Sequence, residues 1–161
     1  MEIQKDALWY QYLDECQKGL VDVSLGLINK QEQLSDLQDF SFIVFSMAKT
    51  YEGFLKKVFF DLELISKQTY EGRRFRIGRA LNPDIRNHQR DEDWLFDDVA
   101  RRFGEPLARQ LWDTWLICRN HVFHYFNDCK QALSFAEAVK RIEMMIDSMQ
   151  SVAEEISSKN Y

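Results

Sequence analysis

The chain is short of the residues that staple a fold or carry it through a membrane. Cysteines number three, Cys16, Cys118 and Cys129. None stands in a Cys-x-x-Cys spacing, so neither a disulfide framework nor a zinc site is indicated. Two prolines and six glycines are too few for a disordered or linker-like chain. No apolar run approaches the roughly 18 residues that a membrane span requires, and the opening MEIQKDALWYQYLDE lacks a basic start followed by an apolar core. The expectation is a cytoplasmic protein with reduced thiols and no membrane partner. Positive charge is in deficit, with a formal net charge of −5. That argues against a protein that coats nucleic acid non-specifically, because such binding is driven by neutralising phosphates.

What is present is material for a core. Hydrophobic residues make up 45% of the 161 positions and aromatics 14%, enough for one compact domain over residues 1–161. The apolar spacing is helical almost throughout. Ile3, Ala7, Tyr10 and Leu13 predict a first helix from Ile3 to Leu20, loosened at Gly19 and Gly26. A long central helix is predicted from caps at Ser35 or Asp36, with Phe40, Val44, Met47, Tyr51, Phe54, Val58 and Leu62 on one stripe. Phe42, Ile43, Phe45 and Leu55 fall off that stripe, so burial on several sides is expected, with a second copy of the chain supplying part of the cover. Short pieces broken by Gly72, Gly78 and Asn82-Pro83 follow, then a helix opening at Asp91 to Asp93 and running to Phe103. Gly104 separates it from the next helix, which has Pro106 in its first turn. Ser134 and Glu137 have the spacing of a capping box before a last helix carrying Phe135, Ile142, Met149, Val152 and Ile156. No strand ladder is discernible, and the fold class is an all-α helical bundle.

Two segments hold concentrated chemistry. Between Lys67 and Arg90 stand Arg73, Arg74, Arg76, Arg79 and Arg86 against only Glu71 and Asp84, either a solvated charged face or a phosphate-binding strip. The second is RNHVFHY, Arg119 to Tyr125, with two of the three histidines. On an ideal helix Asn120 and His124 share a face, whereas Arg119 lies roughly 140° from His124. Uniting all three takes a long reach by Arg119, a distortion of the helix, or an Arg119 meeting a histidine of a second copy. The plainer alternative is a pair of hydrogen-bonded histidines at the margin of a core.

Arg119-Asn120-His121-Val122-Phe123-His124 resembles the R-x4-H signature of the HEPN superfamily, small helical domains that are commonly metal-independent ribonucleases. AKTYEGFLKKVF, Ala48 to Phe59, is similar to a helix in the HEPN domain of RnlA/LsoA-type toxins from antiphage toxin–antitoxin modules. The likeness runs from about Phe40 onward and covers only the HEPN portion of those toxins; their additional N-terminal domains have no counterpart here. The resemblance implies a HEPN-type bundle, a twofold homodimer and an endoribonuclease that needs neither metal nor cofactor. It makes Arg119, His124, Glu52 and Asn120 the catalytic residues, RNA the substrate and a small antitoxin the restraining partner. Lys56, Arg73, Arg74, Arg76 and Arg79 become candidates for RNA binding.

The residues themselves suit that chemistry. An unperturbed imidazole titrates at about 6.5, so it takes or gives a proton near neutrality. Arginine offers a fixed cationic fork to phosphate oxygens. Glu52 sits between Lys49 and Lys56, so a local ion pair explains it as well as a partnership with Arg119. His121 is expected to have a structural or interface role. Asp97-Asp98 and Glu154-Glu155 read as solvated helix charge and not as a metal cluster. Two alternatives remain: a catalytically silent HEPN module for dimerisation or docking, and a HepT-like toxin. The latter's extended R-x4-H-x-Y motif is broken here, because Phe126 stands where the tyrosine belongs and Tyr125 comes one residue early.

Overall fold

The computed structural model describes residues 1–125 and 132–159, so Phe126 and Cys129 lie outside the described residues. Every regular element among those described is helical, as the apolar spacing predicts. The order is α1 (Leu8–Tyr12), α2 (Glu15–Ile28), α3 (Ser41–Asp61), α4 (Lys67–Glu71), α5 (Ile77–Ala80), α6 (Phe96–Phe103), α7 (Glu105–Trp115), a π-helical turn (Leu116–Asn120), α8 (His121–Phe123) and α9 (Phe135–Ser158). Short 3-10 turns occupy Gln31–Leu34 and Asn87–Gln89. No helix is long and apolar enough to cross a membrane among the described residues.

The first predicted helix is two helices. Asp14 accepts from the Gln17 backbone N–H at 2.8 Å, and the Gln17 side chain accepts from the Asp14 N–H at 2.9 Å. This reciprocal cap starts a new helix inside what the apolar spacing alone makes continuous. Once started, α2 runs through Gly19 and Gly26 to Ile28, since a helical glycine costs only about 1 kcal/mol and α2 has a packed face to offset it.

Helix α3 is the axis of the bundle. Ile43, Val44, Met47, Ala48, Tyr51, Phe54, Leu55, Val58 and Phe59 are all buried, which bears out the expectation of burial on several sides. The cover comes chiefly from α2 and α9 of the same chain. Of its large apolar residues, Phe42 and Phe45, 40% and 53% exposed, remain outside that cover. The helix begins at Ser41 and not at Ser35 or Asp36. Asp39 Oδ1 accepts from Ser41 N, Ser41 Oγ and Leu133 N at 2.9, 2.6 and 3.1 Å. Phe40 N donates to Leu133 O at 2.9 Å, so the chain leading into α9 is tied to the head of α3. Partial burial works to raise the Asp39 carboxyl, but these hydrogen bonds outweigh it and hold the group below its ordinary value.

The later boundaries follow local rules. Asp91 to Asp93 lie in a turn that the Trp94 N–H closes on the Asp91 carbonyl at 3.0 Å, so α6 opens later than predicted, at Phe96, with Asp97 and Asp98 in its first turn, where carboxylates complement the helix dipole. Gly104 takes φ +91°, ending α6 and leading directly into α7, a conformation only glycine adopts at little cost. The Ser134–Glu137 capping box forms as predicted and opens α9.

Candidate active site

Helix α7 delivers the RNHVFHY segment, and it does so with a widened turn. Over Leu116–Asn120 the backbone is π-helical, and the His121 N–H bonds to the Leu116 carbonyl five residues back. Such bulges insert an extra residue into a turn and occur often at functional sites. Helix α8 then ends at Phe123, and His124 leaves it in an extended conformation, φ −98° and ψ 136°. Of the three ways to unite the motif, helix distortion is present.

Asn120 and His124 nonetheless meet. The His124 Nε2 lies 2.7 Å from Asn120 Oδ1. Because that oxygen accepts, the ring donates from Nε2, and in the neutral imidazole Nδ1 is left carrying the lone pair. His124 is exposed and Asn120 half-buried. The pair is therefore reachable from outside and held by a short hydrogen bond.

Arg119 is placed differently. Its guanidinium lies over the Trp115 ring, 5.1 Å from the centroid, within range of a cation–π contact. Trp115 is buried and wedged against α5: a Cβ built on Gly78 would lie 2.3 Å from its indole Nε1. Glycine at 78 therefore lets the ring sit where it supports Arg119. Sequence reading passes over Trp115, although its spacing of four residues before Arg119 is the one legible signal of a shared helix face.

Glu52 lies half-buried on α3. Among the described residues it forms no hydrogen bond or ion pair with Arg119, His124 or either neighbouring lysine. Lys49 lies over the Phe45 ring at 5.8 Å. Lys56 Nζ donates to the Gly72 carbonyl at 3.0 Å and sits 5.7 Å from the Tyr70 ring centroid. Both partnerships suggested for Glu52 are thus unformed. Helix α3 reaches the motif instead through Phe45, whose ring meets that of Phe123 edge to face at 5.5 Å.

The basic segment divides in two. Arg79 donates to Gln89 O at 2.9 Å and to Asp91 Oδ2 at 2.7 Å. Arg76 donates to the Arg73 and Phe75 carbonyls, and Arg90 stacks 3.9 Å from the Trp94 ring centroid. These three side chains brace their own loop. Arg73, Arg74 and Arg86 are exposed and carry no such bond among the described residues, which leaves them the most available cations of the strip.

Below the motif lies Cys118, whose thiol is pushed up to about 12 by burial, an effect only partly opposed by the Arg141 charge. It stays a neutral thiol at physiological pH and is not an activated nucleophile. Among the described residues no cluster of three or more metal-binding side chains forms. Comparison with known proteins returns no matching family model, curated protein or solved structure.

Proposed function

We propose that the protein is a metal-independent endoribonuclease of the HEPN type, acting as a toxin in a toxin–antitoxin or phage-defence system. The observation that carries this reading is the hydrogen-bonded pair of an exposed His124 and a half-buried Asn120, next along the chain to an arginine held over Trp115, with the R-x4-H segment on a distorted helix. RNA supplies its own nucleophile. A general base removes the 2′-hydroxyl proton, the oxygen attacks the adjoining phosphorus, and the bond to the 5′-oxygen breaks as that oxygen is protonated. His124 serves as the proton carrier, through the Nδ1 that the Asn120 bond leaves free. Arg119 supplies positive charge to the phosphate oxygens as charge accumulates on them. The products are a 2′,3′-cyclic phosphate and a 5′-hydroxyl.

One such histidine per chain leaves the acid and base roles one group short, and a twofold homodimer provides the second. The exposed Phe45 and Phe123, which meet at the motif, and Phe42, one turn earlier on α3, are apolar surface that a second copy would cover. Glu52 acts in the assembled site by orienting Arg119, and Lys56, Arg73, Arg74, Arg76 and Arg79 flank the RNA path, with Arg73 and Arg74 the best placed to reach it. A small antitoxin restrains the enzyme by covering the cleft or blocking dimerisation. The same exposed phenylalanines favour the second reading, a silent HEPN module that only dimerises or docks a partner.

The test is incubation of purified protein with total cellular RNA in EDTA, followed by analysis of the product ends. Cyclic-phosphate and 5′-hydroxyl ends are expected. Absence of cleavage by a folded, dimeric protein would replace the enzyme reading with the docking one.

A further inference from the structure

A small cavity of about 210 Å³ opens beside the motif, walled by Ile117, His121 and Val122 on one side and by Leu133, Glu137 and Arg141 on the other. It is separate from the Asn120–His124 pair, because Ile117 and His121 lie on the neighbouring face of the π-turn and α8. Arg141 projects from α9 between Cys118 and Glu137, and its charge is felt at both. Its Nε is buried and has no hydrogen-bond partner among the described residues. A buried donor left unsatisfied is costly, and more so when the group is charged. The Glu137 carboxylate on the same cavity wall does not relieve it. Glu137 Oε2 already accepts from Ser134 N at 2.9 Å and Ser134 Oγ at 2.7 Å, and no carboxylate forms an ion pair with Arg141 among the described residues. Across the cavity the His121 side chain is likewise without a hydrogen bond among the described residues.

We propose that this cavity is a binding site for a phosphate group, with Arg141 and His121 as its two donors. Guanidinium pairs with phosphate oxygens through parallel N–H bonds that include Nε, so a bound phosphate would satisfy the orphan donor. The volume excludes a whole nucleotide, since sites for ligands of drug size run from about 300 to 1,000 Å³. It admits a single phosphate, free or as one group of a polynucleotide backbone whose sugar and base stay outside. The assignment stands on the cavity and does not depend on RNA cleavage.

The experiment follows the Arg141 Nε–H signal of the intact protein by NMR during titration with inorganic phosphate, with sodium chloride at matched ionic strength as control. A saturable shift with phosphate and none with chloride is expected. Phosphate should also raise the melting temperature of the wild type and fail to do so for Arg141→Gln, with a reduced effect for His121→Gln. A non-cleavable 2′-O-methyl oligoribonucleotide separates the sources: competition with phosphate at the Arg141 signal assigns the site to backbone phosphate, and lack of competition assigns it to the free ion. A signal that moves with neither phosphate nor oligonucleotide overturns the proposal, as does an undiminished phosphate effect in a folded Arg141→Gln. If that variant fails to fold, the wild-type titration alone decides.

Discussion

Helix α7 and its continuation carry polar groups of opposite character within a few turns. At the level of Leu111, the Tyr51 hydroxyl lies 3.1 Å from both the Leu111 carbonyl and Ser148 Oγ, joining α3, α7 and α9 in the dry centre. Burial pushes the Tyr51 phenol well above its ordinary value, so it stays neutral and fully used. Further along the same element, Arg119, Asn120 and His124 lie at or near the surface on a widened turn that ends in extended chain. The first cluster binds the bundle together; the second is positioned by the bundle and gives little stability back. A polar group that a fold needs is buried and satisfied, whereas one that a reaction needs stays reachable.

That contrast can be broken from either side. Apart from the loss of His124 itself, the largest effect is expected for Arg119→Ala, which should lower RNA cleavage about 100- to 1,000-fold, the range for removing one preorganised group that stabilises transition-state charge. Its melting curve should stay close to wild type, and steady-state cleavage read beside thermal unfolding checks both halves. Gly78→Ala links the two regions. The added methyl would collide with Trp115, and such overpacking typically costs about 1–3 kcal/mol. Because Trp115 supports Arg119, cleavage should fall as well, and denaturant titration with an activity assay separates the two losses.

At the core node, Tyr51→Phe should cost about 1–1.5 kcal/mol by leaving the Leu111 carbonyl and Ser148 hydroxyl short of a partner. Cleavage per folded molecule should not change. The smallest effect belongs to Asp39. Its carboxyl is lowered in the fold, so its contribution is complete above the unfolded value and is lost as pH falls below about 4. Unfolding at a series of acidic pH values should show Asp39→Asn less stable than wild type near neutrality, with the gap closing on acidification.

Much of the bundle is legible in apolar spacing, because long helices with one buried stripe advertise themselves. The body of helix α3, the Gly104 break and the Ser134–Glu137 cap all stand as expected. The break at Asp14 escapes that reading because a reciprocal cap can interrupt a continuous apolar pattern, and Asp14 with Gln17 carries the signal in a form easily overlooked. Ser35 and Asp36 put the head of α3 several residues early because its real anchor, Asp39, also reaches Leu133 across the fold. At the site, the Asn120–His124 pairing follows from spacing alone. The π-turn does not, since nothing in LICRN distinguishes it from an ordinary helix, and the support of Arg119 by Trp115 depends on where Gly78 arrives in space. Likewise, no sequence pattern separates the loop-bracing Arg79 and Arg90 from the exposed Arg73 and Arg74.

The most direct measurement pairs RNA cleavage in EDTA with thermal unfolding for His124→Ala. Cleavage should fall about 100- to 10,000-fold, the scale of general acid–base catalysis, while unfolding free energy stays within about 0.5 kcal/mol of wild type, as for an exposed side chain. Undiminished cleavage, or a variant that no longer folds, would contradict the assignment of RNHVFHY to chemistry and return it to the structure of the bundle.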